Sequence, residues 1–430
     1  MKNDMLSALF FVLLIFLQSV LSVWAGDNQW TSIGPEGGPV STLVVDPSNP
    51  TTLYAVANGG VFKSTNGGGS WSRTNAGLSV MPVSILLLDP SNPATIYLVA
   101  ESGPGGGIFK SSNGGRVWNP VNTGFPATAS VSALAIDPSS PATLYAGIAG
   151  VYHPGASGLE SSGPGVFKST DGGSSWKPIY TMSSTYAFAN ISRLVIDPSN
   201  PSTLYYMMTG GGVYKSTNGG GDWNLLTTTE VSFLVFDPSN PSTQYAGTHS
   251  NGLLKSTDGG GSWNPSNSGL PSSWWVDALV IDPSNPATLY AVANGGVYKG
   301  TNIFKSTNRG GTWSQVNANL TAMNSKTLAI DPTNPTTLYV DGGYSSLIPS
   351  CGGVLKSTNG GVSWNPVNTG LTATSIDSLG IAPSNPSTLY VGTACGLQKS
   401  SNGGGSWSLI NRMAVGGAGV IVELNRFAVA

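Results

Sequence analysis

Asp46-Pro47-Ser48-Asn49-Pro50, then Leu53-Tyr54-Ala55-Val56-Ala57, then Gly60-Val61-Phe62-Lys63-Ser64-Thr65-Asn66-Gly67-Gly68-Gly69-Ser70-Trp71 is the stretch that decides the fold. Its first part is a tight turn, because Pro pre-sets φ and Asp or Asn accepts hydrogen bonds from nearby backbone N–H groups. Two short apolar runs follow, Leu53–Ala57 and Val61–Ser64. The Asn-Gly-Gly after them supplies the positive-φ residues of a second turn. The preceding run, Ser41–Asp46, and a run starting at Trp71 complete a unit of four strands, A to D.

Both motifs recur eight times with small changes. The first begins at Asp46, Asp89, Asp137, Asp197, Asp237, Asp282 and Asp331, and at Ala382 where the Asp is lost. A Tyr follows each copy by eight residues: Tyr54, Tyr97, Tyr145, Tyr205, Tyr245, Tyr290, Tyr339 and Tyr390. The second motif starts at Lys63, Lys110, Lys168, Lys215, Lys255, Lys305, Lys356 and Lys399, and a Trp follows each by eight residues. The period of 40 to 60 residues is that of propeller blades rather than helical solenoids. Strand A is apolar on consecutive residues, as in Leu86-Leu87-Leu88, which marks a strand buried on both faces. Inner strands wedged between neighbouring blades meet that condition.

Composition agrees with a folded, exported chain. Of 430 residues only 9% are charged and the net charge is −2, so a nucleic-acid partner has no electrostatic footprint. Gly (58) and Pro (29) stay below the level of aperiodic disorder, and 12 Trp help build a core. Lys2, the apolar run Leu6–Val20 and the small residues of Val23-Trp24-Ala25 predict a signal peptide over residues 1–25, cleaved after Ala25. No later segment is apolar enough to span a membrane. The expected product is a secreted or periplasmic monomer over 26–430, with no membrane insertion after cleavage. No cofactor is expected, and His153 and His249 have no metal-ligand spacing.

The second motif resembles the Asp-box, or BNR repeat, Ser-x-Asp-x-Gly-x-x-Trp. Here it reads Ser169-Thr170-Asp171-Gly172-Gly173-Ser174-Ser175-Trp176, and Ser256-Thr257-Asp258-Gly259 leading to Trp263; the other six copies carry Asn. The resemblance implies an all-β fold, a single β-propeller of four-stranded antiparallel blades, with eight blades expected and seven as the alternative. Propellers of this superfamily include those of sialidases, xyloglucan-active glycosidases, sortilin-type receptors and photosystem II assembly factors, so the fold leaves the function open. The repeats run from about 38 to 410. Residues 28–37 hold a further strand-like segment, Trp30-Thr31-Ser32-Ile33, and 411–430 form a C-terminal tail. Either the Trp30 segment or Trp407–Ile410 closes the last blade.

Strand alternation puts the A–B and C–D turns on one face and the B–C and D–A loops on the other. Loop length varies on the second face: Tyr-to-Lys gaps are 9 in blades 1 and 8, 23 in blade 3 and 17 in blade 7. The blade 3 insertion, 148–165, carries Tyr152, His153 and Glu160; the blade 7 insertion, 341–353, carries Tyr344 and Cys351. Variable loops on a rigid scaffold are where binding usually resides. Trp274-Trp275 in the blade 5–6 loop is either a ligand platform or a cover over the blade edge. Asp277 and Asp377 lie five residues before the repeat Asp or its Ala382 equivalent, and Lys326 holds that register between them. These three form either a site at the channel mouth or a solvated charge cluster.

The expected function is a binding or scaffolding module for protein or glycan. The alternative is a glycoside hydrolase of sialidase-like or glycanase-like type. Such an enzyme needs two carboxyls about 5–9.5 Å apart. Six acids fall on or beside the variable face: Glu101, Glu160, Glu230, Asp277, Asp341 and Asp377. The resemblance also implies three Arg residues for a sialidase, and Arg193 is the one well-placed candidate. For a xyloglucan-active relative it implies catalytic Asp residues across a cleft between two propellers. Finally, Cys351 and Cys395 occupy the B–C turns of adjacent blades, and exported proteins keep disulfides, so a bridge between them is expected.

Overall fold

The computed structural model describes residues 40–46, 48–49, 51–57, 60–78, 83–100, 107–126, 129–149, 164–182, 189–248, 251–271, 274–294, 301–316, 325, 327–341, 353–371, 376–382, 385–393, 396–410 and 421–422. All fall in the second of two compact units, Gly34–Ala430. They form eight antiparallel sheets arranged as the blades of a propeller, and no helix occurs among them.

Each sheet is built from consecutive strands. The innermost, strand A, is Val40–Val45, Val83–Leu88, Val131–Ile136, Ile191–Ile196, Val231–Asp237, Trp275–Ile281, Leu328–Ile330 and Ile376–Ile381 in blades 1 to 8. Strand B, such as Leu53–Ala57 or Leu144–Ile148, pairs on both edges and is buried along its described length. The outermost strand D is only two residues in six blades, but it extends to Lys177–Thr181 in blade 3 and Asn224–Thr227 in blade 4.

Packing closes the ring. Every seam between neighbouring blades holds its own apolar cluster. Val44, Tyr54 and Val56 of blade 1 meet Leu86, Leu98, Phe109 and Trp118 of blade 2. The last seam joins Ala382, Tyr390, Leu397 and Ile410 of blade 8 to Leu43, Leu53, Ala55 and Phe62 of blade 1. Burying a large apolar side chain stabilises by about 1.5–3 kcal/mol, so each seam contributes through several such residues at once.

The outer strand of blade 8 is Ser408–Leu409, which comes from the Trp407 segment. Blades 1 and 8 are therefore each made from continuous chain. The Trp30–Ile33 segment, the leader-like residues 1–25 and most of the tail lie outside the described residues. One piece of the tail is described: Ile421–Val422 pairs in parallel with strand A of blade 1, giving that sheet a fifth strand on its inner side.

Candidate functional site: the channel mouth

The repeat motifs converge on the face of the A–B and C–D turns, where they hold the blades together. In the seven A–B turns that keep the leading Asp, it accepts from the backbone and hydroxyl two residues on; Asp46 Oδ1 takes Ser48 N at 2.9 Å, Ser48 Oγ at 2.7 Å and Asn49 N at 3.1 Å. In each C–D turn the Ser hydroxyl accepts from the second Gly, as Gly68 N does to Ser64 Oγ at 2.8 Å, and donates to the Asn or Asp. The two turns are stitched by a backbone bond, such as Gly67 N to Thr51 O at 2.8 Å.

From that turn the motif Lys reaches the next blade. Lys110 Nζ donates to Gly172 O at 2.8 Å, and Tyr97 OH donates to the same carbonyl at 3.1 Å. Lys63 reaches Gly114 O, Lys356 reaches Gly403 O and Lys399 reaches Gly67 O in the same way. In all eight blades the ammonium lies over its own repeat Tyr, 5.1 to 5.8 Å from the ring centroid. In four blades the motif Trp points the other way, donating to the preceding blade, as Trp176 Nε1 does to Val121 O and Trp313 Nε1 to Ser266 O. Burial pushes the hydroxyls of Tyr54, Tyr97, Tyr205, Tyr245, Tyr339 and Tyr390 up to about 12. The repeat residues are thus inter-blade fasteners.

Where the first Gly of the turn is replaced, by Arg309, the residue keeps the left-handed φ of +56° and its guanidinium pairs with the buried Asp237 of blade 5. A further fastener escaped the sequence reading. Four residues after the motif Trp, Asn75, Asn122, Asn267 and Asn368 each accept from the first residues of strand C in their own blade, at 2.7–2.8 Å. The Trp-x-x-x-Asn spacing is visible in the sequence.

The opposite face, where strands A begin, is the channel mouth. In seven blades the A–B register slips by one residue at the same position, five before the repeat Asp or Ala382. A bulge of this kind re-aims a side chain at the end of a strand. The bulged residue is Ser41, Ser84, Ser132, Ser192 and Ser232 in blades 1 to 5, and Asp277 and Asp377 in blades 6 and 8. Three of the serines serve the backbone: Ser84 Oγ donates to Val99 O at 3.4 Å, Ser132 Oγ to Ile191 O of the next blade at 2.9 Å, and Ser192 Oγ to Met207 O at 3.2 Å.

Among the described side chains at these registers, charge falls in blades 4 to 6. Arg193 stands exposed one residue beyond the bulge in blade 4, Glu230 stands exposed two before it in blade 5, and Trp275 holds the Glu230 register in blade 6. The equivalent positions in blades 1 to 3 carry Thr42, Ile85 and Ala133, and Pro39, Pro82 and Ser130.

The Trp274-Trp275 pair is split by the strand. Trp275 opens strand A of blade 6 rather than lying in a loop, and it is 45% exposed. Trp274 is buried among Phe233, Leu279 and Trp313 and meets Phe304 edge-on at 6.3 Å. Trp274 is therefore a core residue and offers no platform. Asp277 is half-buried two residues beyond Trp275.

Asp341 is 1% exposed at the end of strand B in blade 7. Its Oδ1 accepts from Ser325 Oγ at 2.6 Å, Thr327 N at 2.8 Å and Thr327 Oγ1 at 2.9 Å. The carboxylate takes over the role of a ladder carbonyl, and strand A of that blade shortens to three residues. This acid belongs to the blade's structure. Tyr152, His153, Lys326, Tyr344, Cys351 and Cys395 lie outside the described residues, and of Asp377 only the backbone is described.

No family model and no curated protein sequence matches the chain. Solved structures do match. The GH74 xyloglucanase from Xanthomonas campestris is similar at 16% identity and a TM-score of 0.54, over 92% of this chain and 70% of that one. The GH74 enzyme from Niastella koreensis is similar at 20% identity and a TM-score of 0.51, over 91% and 69%. An ancestral GH74 enzyme is similar at 22% identity and a TM-score of 0.50; the chain spans 55% of its length. At these identities the likeness is one of fold: a β-propeller.

Proposed function

We propose that the protein is an exported binding module that takes a protein or glycan segment at the charged side of the channel mouth, around Trp275 and Asp277. One observation carries the reading. The bulge position is Ser in five blades, with Ser84, Ser132 and Ser192 donating to backbone carbonyls, and carboxylates replace it in blades 6 and 8, with an exposed indole beside the first. An exposed Trp gives an apolar face for a sugar ring or an apolar side chain, and Asp277 adds a hydrogen-bond acceptor next to it.

The turn geometry supports the Asp-box likeness, since Asp171 and Asp258 accept from their Ser partners as Asn does in the other blades. Binding is favoured over hydrolysis by the acids themselves. Asp341 is a structural acceptor, which leaves fewer carboxyls to form a catalytic pair.

The test is a glycan array and a peptide array probed with the purified protein, alongside a fluorogenic glycoside panel. A ligand whose affinity drops tenfold or more with Trp275→Ala, and drops with Asp277→Asn, supports the module. Affinity unchanged in both variants places the site elsewhere. Glycan turnover abolished by Asp277→Asn makes the protein a glycoside hydrolase instead.

A further inference from the structure

We propose that the C-terminal strand, Ile421–Val422, is a clasp that fastens the seam between the last blade and the first from inside the ring. Strands A to D of each blade at this seam are continuous chain, so neither blade borrows an outer strand from the other. Blade 1 begins the repeats and blade 8 ends them, so their junction lacks the strand D to strand A connection that joins every other neighbouring pair. The C-terminal strand lies where that link is missing.

Its register is defined: Ile421 pairs with Thr42 and Val422 with Leu43, in parallel. It also lies against strand A, Ile376–Ile381, and strand B, Leu389–Thr393, of blade 8. One short strand thus touches both sides of the seam and pairs with the free inner edge of blade 1. Parallel pairing directs it from the mouth toward the turn face, alongside strand A. It therefore adds backbone hydrogen bonds to an edge that would otherwise face the channel, and exposed edges are open to pairing with other chains.

Hydrogen exchange on the full chain tests the clasp. Val422→Pro removes an N–H and restricts φ, so it should break the parallel pairing. The expected result is at least a tenfold loss of protection in Thr42–Val44 and in Leu379–Ile381, with Leu234 and Ala246 of blade 5 unchanged. Unchanged exchange in blade 1 overturns the proposal.

A cysteine pair gives a second readout that leaves the strand in place. Thr42→Cys with Ile421→Cys, in a Cys351→Ser and Cys395→Ser background, puts the two thiols on paired residues. Bridging needs Cα atoms within about 7 Å. A disulfide formed under mild oxidation, absent from the Ser84→Cys with Ile421→Cys control, supports the clasp. Equal bridging in both pairs, or none in the first, overturns it.

Discussion

Lys399 donates its ammonium hydrogen bond to the carbonyl of Gly67, 332 residues away in sequence, across the seam where blade 8 meets blade 1. The same bond joins Lys110 to Gly172 and Lys356 to Gly403 between consecutive blades. Ring closure therefore reuses the contact that propagates the ring. Replacing Lys399 with Met keeps the aliphatic stem and removes the donor. Hydrogen bonds to charged groups contribute about 1.5–3 kcal/mol, and exposed cation–π contacts about 0.5–1 kcal/mol. With the head group partly in water, Lys399→Met should cost about 1–2 kcal/mol in a urea titration. A loss below about 0.3 kcal/mol would show that the fastener adds little beyond apolar packing.

The two neighbouring indoles of blade 6 should separate cleanly. Trp274→Ala removes a core side chain and should destabilise by about 3–5 kcal/mol. Trp275→Ala should change stability by about 1 kcal/mol or less, as expected for a half-exposed residue. Thermal and chemical denaturation of both variants measures the difference. Equal losses would mean that Trp275 also serves the core.

Acid should act on two blades in particular. The Ser175 hydroxyl and backbone N–H, then the Ser169 hydroxyl, hold the Asp171 carboxyl at about 2. Ser262 and Ser256 do the same for Asp258, also at about 2. Each carboxyl is depressed in the folded chain, so its contribution is complete above the ordinary 3.8 and is lost as pH falls toward 2. Asn fills this place in the other six blades without titrating. Asp171→Asn with Asp258→Asn should therefore flatten the acid unfolding curve between pH 4 and 2 and change little at pH 7. A curve identical to the parent's would assign the acid sensitivity to other carboxyls.

Alkali should act on six blades together. Six repeat tyrosines are raised from 10.0 to about 12, chiefly by burial, with nearby repeat carboxylates adding to it in most of them. The folded chain keeps these hydroxyls protonated while the unfolded chain ionises near 10. Stability is then complete below pH 10 and is lost as pH rises through 12. Of the 15 tyrosines, these six should add their tyrosinate absorbance only above about pH 11, together with loss of tertiary signal. Titration of all 15 tyrosines near pH 10 in still-folded protein would contradict the burial.

The repeats made the architecture legible in sequence, because turn chemistry is local. Asp-Pro-Ser-Asn-Pro and Asn-Gly-Gly determine a hydrogen-bonded turn from residues within five positions of one another, and eight copies set eight blades. Register was legible for the same reason: Asp277 and Asp377, aligned by counting back from the repeat, both fall on the bulge. Three things depended on contacts between segments far apart in the chain. One was why Lys, Tyr and Trp recur, since each fastens a neighbouring blade 40 or more residues away. Another was the separate fates of Trp274 and Trp275, because adjacent residues on a strand point to opposite sides and only the packed sheet shows which side is core. The last was the choice of terminal strand. Two segments of similar sequence competed for the edge of blade 8, and the next strand of the same chain took it, while the tail reached the inner edge of blade 1.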